Sequence, residues 1–279
     1  MIQHLLQLIW NQRKQNAWLW AELLLVSVFL WFLVDYLYVM GRTYTAPLGF
    51  DIRHTYSIVI SSLSERSPDY IPKEKRERPD GVHLLTALDR IRTYPGVESA
   101  CLTDGGMPYY MGSRNLVWRI DTLQVPCRYA FVTPEFFDVF RIYDKDGKTA
   151  SLKRAIEDNN SIVISADVET MNPGLSLLGQ KAYRGNVTDE IEETIRGISV
   201  PIRRHEYTKA EPNVYRALRL SRMEEGYYEG MIDAVRLCVR VRPDVDNADF
   251  PARFRKDMAE QLRLGNLYLL DVQPLSYIR

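Results

Sequence analysis

The side chains able to do chemistry are scattered along the 279 residues. Four histidines, His4, His54, His83 and His205, match no metal-ligand spacing, and no C-x-x-C accompanies them. No metal centre is expected. "GGMPYYMG", Gly105 to Gly112, is glycine-rich but lacks a following Lys-Ser/Thr, and no G-x-x-x-x-G-K-[ST] occurs elsewhere. The chain therefore has no phosphate-cradling P-loop of its own, and Gly105–Gly112 reads as a mobile loop. "DKDGK", Asp144 to Lys148, carries part of a calcium-loop spacing. Ile142 stands where a ligand would precede it, so a hairpin turn is expected. No G-x-S-x-G nucleophile elbow is present. The acid pairs Glu192-Glu193 and Glu224-Glu225 sit in polar context and read as solvated faces. No catalytic, cofactor-binding or metal residue is assigned, no cofactor is expected, and the chain is read as not an enzyme.

Charge is balanced, with 36 basic and 36 acidic residues. A broad electrostatic footprint for nucleic acid is therefore not expected. Cys101, Cys127 and Cys238 are too few for a disulfide scaffold, and their odd number leaves at least one unpaired or intermolecular. They read as small buried hydrophobes, with one disulfide as the lesser alternative.

The element with the clearest consequence is near the start. "LLLVSVFLWFLV", Leu23 to Val34, contains no charge, and the apolar stretch extends from Ala17 to Met40. At about 1.5 Å per residue this is roughly 36 Å, enough to cross a bilayer. Glu22 and Asp35 fall toward its two ends, where an acid costs less than at the bilayer centre. Trp18 and Trp20 flank one edge and Tyr36 and Tyr38 the other, as in interfacial aromatic belts. A cleaved signal fits poorly because A-x-A-like chemistry is missing before Pro47. A soluble core helix also fits poorly, because no face is clearly polar. Arg13 and Lys14 precede the segment and Arg42 follows it, which places residues 1–16 in the cytoplasm. Within that leader, Ile2, Leu5, Leu6 and Ile9 fall on one helical face, as a helix lying on the membrane would have them, unless the leader is frayed.

Beyond residue 41 the pattern alternates strands and helices. "HTYSIVIS" places Tyr56, Ile58 and Ile60 on one side of a strand. Ser61 to Pro79, including "KEKRER", reads as a solvated loop. Leu84, Leu85, Leu88 and Ile91 then have helical spacing, with Asp80 as N-cap and Pro95-Gly96 as stop. "VESACLT" resumes as a strand. Late in the chain "AVRLCVRVR" alternates Val235, Leu237, Val239 and Val241 with Arg236, Cys238, Arg240 and Arg242, a strand with one wet face. Phe250, Phe254, Met258 and Leu262 form a helical stripe capped by Asp249, and "LYLLDVQPL" closes as a strand. These two βαβ-like halves, residues 41–139 and 213–279, are expected to share one mixed α/β (α+β) sheet. In the first half, Leu116–Thr122 and Val125–Thr133 also read as strands. Residues 140–212, with short turn-rich elements, read as a β-rich insertion. The segment from Gly41 to Asp51 is a short link in which Gly41 and Gly49 are candidate hinges.

The order of phrases resembles the MacB-like periplasmic core domain of ABC-transporter permeases, whose membrane part is called FtsX-like. The resemblance runs through "FLWFLVDYLY", "PLGFDIRHTYSIVI", "LLTALDRIRTYPGVESACLTDGGMP", "YAFVTPEFFDVFRI", "NNSIVISADVETMNPGLSLLGQKA", "IRGISVPIRRHEYTKAEPNVYRAL" and the closing unit from Val239. It implies a porter-like α/β subdomain built from both ends and a β-rich sabre-like subdomain inserted between them. It implies an inner-membrane protein with its main domain in the periplasm, and no catalytic residues. The family's partners would be an ATP-binding subunit, a second permease copy or paired permease, and a periplasmic adaptor, outer-membrane channel or lipoprotein substrate, with lipid around the span. Coupling of ATP hydrolysis to export or mechanotransmission is the implied role. Two departures stand out. Leu178 replaces the aromatic expected before Gly179, and the chain ends at "PLSYIR", about where the family's second span begins. It is expected to be an excerpt or a degenerate form. The rival class is a single-span extracytoplasmic sensor or ligand-binding module.

Overall fold

The computed structural model describes residues 7, 10, 17–110, 112, 114–185 and 190–279. The leader residues Ile2, Leu5, Leu6 and Ile9, with His4, Arg13 and Lys14, lie outside the described residues. Helix α1 spans Ala17–Thr45 and buries none of its residues. It runs five residues past Met40, so Gly41 is helical. Thr45 Oγ1 donates to the carbonyls of Gly41 (3.0 Å) and Arg42 (3.3 Å), satisfying helix-end acceptors.

The remaining elements follow in order. Strand β1 is Thr55–Ser62, helix α2 Asp80–Arg92, and strands β2, β3 and β4 are Val97–Asp104, Arg114–Ile120 and Leu123–Val132. Helices α3 (Phe136–Val139) and α4 (Ala150–Ala155) precede β5 (Ser161–Ser165), α5 (Asp167–Met171), β6 (Lys181–Arg184) and β7 (Ile191–Ser199). Then come β8 (Asn213–Ala217), α6 (Leu220–Glu224), β9 (Val235–Val241), α7 (Phe250–Met258), β10 (Leu267–Pro274) and α8 (Leu275–Ile278). The chain forms two compact units. One holds α1 through Pro47 together with Glu206–Thr208, where the rings of Tyr44 and Tyr207 lie 5.7 Å apart. The other holds Leu48–His205 and Lys209–Arg279.

In the larger unit, four strands lie in the order β10-β1-β9-β2, each antiparallel to its neighbour. The two βαβ halves are therefore interleaved. β9 fills the gap in β1-α2-β2, and β1 fills the gap in β9-α7-β10, a split βαβ arrangement. One face carries Tyr56, Ile58, Leu237 and Val239 against Leu84, Leu88 and Ile91 of α2 and Phe250, Phe254 and Met258 of α7. Each fully buried side chain of this size contributes about 1.5–3 kcal/mol. Gly81 lets α2 approach a neighbouring backbone, because a Cβ there would fall 2.4 Å from the Met223 carbonyl oxygen.

Two expected caps do not form, and one residue of an expected solvated loop is internal. Asp80 does not cap α2. The N-cap position is Pro79, and Glu229 accepts the Asp80 N–H at 2.8 Å. Arg76, expected in a solvated loop, donates to Asp80 (3.0 Å), Glu229 (2.7 Å) and the Tyr70 hydroxyl (2.9 Å). Asp249 occupies the N-cap position of α7 without a side-chain capping bond. Propensity marks where a cap can form, while the tertiary partner decides which carboxylate forms it.

The other six strands close on themselves in the order β4-β3-β6-β7-β5-β8, with β8 returning parallel to β4. This barrel takes β3 and β4 from before residue 140 and β8 from after residue 212. Its strands thus reach beyond the expected limits of the insertion, 140–212, on both sides. The reason is edge pairing: β5, β6 and β7 alone would leave open strand edges, whereas closure removes them. Inside lie Trp118, Ile120, Ile162, Ile164, Ile195 and Val214. One buried acid sits among them. Glu193, expected on a solvated face, is 2% exposed. It accepts from Arg216 Nε at 2.7 Å and Trp118 Nε1 at 3.2 Å, and it pairs with Arg184 at 3.3 Å. Glu192 points outward to Lys181 at 2.7 Å, so strand alternation separates the two adjacent acids.

Replacing Glu193 with Gln leaves Arg216 and Arg184 facing a neutral group inside the barrel, and stability should fall by about 3–5 kcal/mol. Urea unfolding measures this, and the triple variant Glu193→Leu/Arg216→Leu/Arg184→Leu should recover most of the loss. A change under about 1 kcal/mol for Glu193→Gln would mean that water already solvates the network.

Candidate functional site

The residues singled out for chemistry do not converge. His54 pairs through Nδ1 with Asp246 Oδ2 at 2.5 Å, and the Tyr56 hydroxyl donates to the other oxygen of the same carboxylate. This fastens the start of β1 to the segment before α7. His83 lies beside Gly265, and burial, ahead of the nearby charges, lowers its pKa from the ordinary value. The Asp144–Lys148 segment is a turn in which Asp144 Oδ1 accepts the N–H groups of Asp146 (2.9 Å) and Lys148 (2.8 Å). Among the described residues, no group of three or more His, Cys, Asp or Glu side chains is placed to hold a metal ion. Cys101 and Cys238 stand opposite each other on β2 and β9, and all three cysteines are buried as free thiols. Burial pushes the Cys127 thiol up to about 12 and the Cys101 thiol well above its ordinary range, the latter helped by Cys238.

The strongest convergence lies where the chain enters the larger unit. Gly49 adopts φ +84°, and a Cβ there would meet the Pro201 carbonyl oxygen at 2.1 Å, so only glycine fits. The Arg203 N–H donates to Leu48 O at 3.0 Å, and the Asp51 N–H to Phe140 O at 2.8 Å. Arg240 completes the junction. It belongs to the face of β9 expected to be wet, yet it is 3% exposed. Its Nε donates to Val139 O at 2.7 Å, and its two Nη atoms donate to Arg53 O at 2.8 Å and Asp51 O at 2.6 Å. One guanidinium thus ties the entry segment, α3 and the sheet together. Burial lowers the pKa of Arg240, and the Asp51 charge opposes this. For Asp51, burial pushes the carboxyl up, but the Arg53 bonds and the Arg240 charge outweigh it and hold it below the usual range.

The wet-face expectation fails because a second core covers that face. Cys101, Cys238, Phe136, Phe137, Phe140 and Leu275 form it, with Phe50 and Ile52 of the entry segment packed against it. Two signals for this stood in the sequence. "TPEFFDVF" carries more apolar surface than one short helix buries alone, and Cys238 interrupts the arginines of β9.

No protein-family model matches the chain, and no curated protein does. Solved structures do. A domain described as belonging to a permease protein of Porphyromonas gingivalis aligns with TM-score 0.53 and 18% identity, over 81% of this chain and 91% of that one. The periplasmic region of MacB from Actinobacillus actinomycetemcomitans aligns with TM-score 0.44 and 10% identity, over 82% and 94%. The extracellular domain of the noncanonic ABC-type transporter YknZ from Gram-positive bacteria gives 0.42 and 11%, over 77% and 100%. The expected architecture is the one found: an apolar N-terminal helix, then a mixed α/β domain whose fold is shared with the Porphyromonas gingivalis permease domain. At these identities the likeness is one of fold.

Arg240→Met should cost about 3 kcal/mol, because three buried carbonyls lose charge-assisted donors. Hydrogen exchange at the Asp51 amide should accelerate more than at the Leu102 amide in the sheet; equal acceleration would contradict a local clamp. The three thiols should resist a disulfide reagent at pH 8 in the folded protein and all react in denaturant; rapid reaction without denaturant would contradict the burial.

Proposed function

We propose that the chain is the membrane-anchored, extracytoplasmic domain of a MacB-type ABC-transporter permease, without catalysis of its own. One observation carries this reading. A 29-residue exposed apolar helix leads, through Ala46 and Pro47, into a domain whose fold is shared with a permease domain. A helix with no buried residue and no polar face is matched to lipid better than to water. The proposed location is the bacterial inner membrane, with α1 as the span and the α/β domain on the periplasmic side.

In this reading ATP is hydrolysed by a separate or fused ATP-binding subunit, and the permease passes the resulting displacement outward. Two copies of the permease, or a pair, would move together against an adaptor, an outer-membrane channel or a lipoprotein substrate. A displacement of α1 travels through Pro47 to Leu48–Arg53, and Arg240 hands it to β9 and the sheet. Glu206–Thr208 belong to the unit of α1, so the same displacement also reaches the larger unit at His205 and Lys209. Three covalent passages therefore bear on one domain. Stiffness at the first comes from backbone bonds and a buried guanidinium, which deform less than a glycine hinge would.

The test has two arms. A cysteine introduced at the exposed Glu74 (Glu74→Cys) should react with a membrane-impermeant maleimide while the inner membrane is intact, and crosslinking of the membrane-embedded protein should capture an ATP-binding subunit. Labelling only after the inner membrane is lysed would end the reading. Labelling without any ATP-binding partner would favour a single-span sensor.

A further inference from the structure

A small cavity lies between the Gly105–Tyr110 loop, the ends of β4 and β8, and the entry segment. It has room, about 40 Å³, for the centres of water-sized groups. At about 10–15 Å³ for each water, that is a few waters or one small polar head group. Arg128 of β4 lines it. The Arg128 Nε is buried and has no hydrogen-bond acceptor among the described residues. Burial lowers its pKa, and the neighbouring Arg204 charge lowers it further, while Tyr215 and Glu211 oppose. A partly buried guanidinium with an unsatisfied donor is costly and calls for an anion or ordered water.

Arg203, Arg204 and Asn213 also line it, each with partners of its own, beside the rings of Phe50, Tyr109, Tyr110, Tyr129 and Tyr215. Tyr109 is held at φ +61°, a conformation that L-residues with bulky side chains rarely adopt, with its ring edge-on to Phe50 at 5.7 Å. The Arg236 guanidinium lies 5.2 Å from the centre of the Tyr110 ring, adding positive charge behind that wall.

We infer that this cavity is a binding site for a monoanionic carboxylate carried on an apolar or aromatic group. The Arg128 guanidinium matches one negative charge and offers the fork that pairs with a planar carboxylate. The cavity admits the carboxylate, and the half-buried rings of Phe50, Tyr109, Tyr110 and Tyr129 provide a surface for the apolar part outside it. The site stands independently of the permease reading. An occupant would touch both the entry segment, at Phe50, and the barrel, at Arg128 and Tyr215, so it would stiffen the same junction that Arg240 holds.

The test is calorimetric titration of the full chain in detergent at pH 7 and fixed ionic strength. 3-Phenylpropionate should bind saturably at one site, and its neutral amide at least tenfold more weakly. Arg128→Gln should weaken phenylpropionate binding at least tenfold and Arg128→Lys less, while Arg242→Gln, at an exposed strand-end arginine, leaves it unchanged. Equal binding of acid and amide, equal binding of phosphate, absence of saturation, or undiminished binding by Arg128→Gln would each overturn the assignment. If Arg128→Gln does not fold, the comparison of acid, amide and phosphate on the natural chain decides alone.

Discussion

A charged side chain 3% exposed at the centre of a sheet must be fully bonded or it destabilises the fold, and Arg240 meets that condition with three backbone carbonyls. The three acceptors come from segments far apart in sequence: Asp51 and Arg53 on one side, Val139 on the other. Packing alone would hold these segments against the sheet but would allow sliding. Directional bonds from one rigid fork fix their register. The Asp51 N–H to Phe140 O bond closes the same junction from the opposite direction. Entry segment, α3 and β9 therefore behave as one body, and the aromatic second core is built around that body.

The barrel meets a related constraint by different means. Six short strands close so that no edge is left open, and side chains fill the inside. Closure brings together inward positions from β6, β7 and β8 that are not all apolar. Glu193, Arg184 and Arg216 satisfy one another, with the Trp118 indole as a further donor. The Arg216 guanidinium also lies 5.0 Å from the centre of the Phe131 ring, so its unbonded face meets an aromatic surface. Hydrophobic residues of similar volume would serve stability as well, so a polar network here fixes strand register more than it adds energy.

Much of this was legible one element at a time. The stripes Tyr56/Ile58/Ile60 and Phe250/Phe254/Met258/Leu262 are periodic and pack as expected, because burial of one face is what periodicity encodes. The apolar helix was legible from length and composition. Three things were not. Interleaving of the two βαβ halves leaves no local trace, because β1 pairs with β9 across about 180 residues. Alternation in β9 marks two faces without saying that both are covered, so Arg240 read as solvated. Glu193 looked like half of a polar pair, because the sequence does not state that its strand belongs to a closed barrel. The cavity around Arg128 has the same origin: its lining comes from six separate stretches and has no motif.

The joints of the larger unit are not equally stiff, and the ladder shows where yielding is easiest. β3 and β4 pair along seven positions from Arg114↔Tyr129 to Ile120↔Leu123. The four-stranded sheet meets the barrel through only two pairs between β2 and β4, Thr103↔Val132 and Asp104↔Phe131. β4 runs through both, using one edge first for β3 and then for β2. A relative rotation of sheet and barrel would break few backbone bonds there, while rotation within either would break many. The second core resists such motion by packing, which tolerates small rotations better than a hydrogen-bonded ladder does. Arg240 lies on the sheet side of this joint and Arg128 on the barrel side, so the entry segment is tied to the first and touches the second through the cavity wall at Phe50.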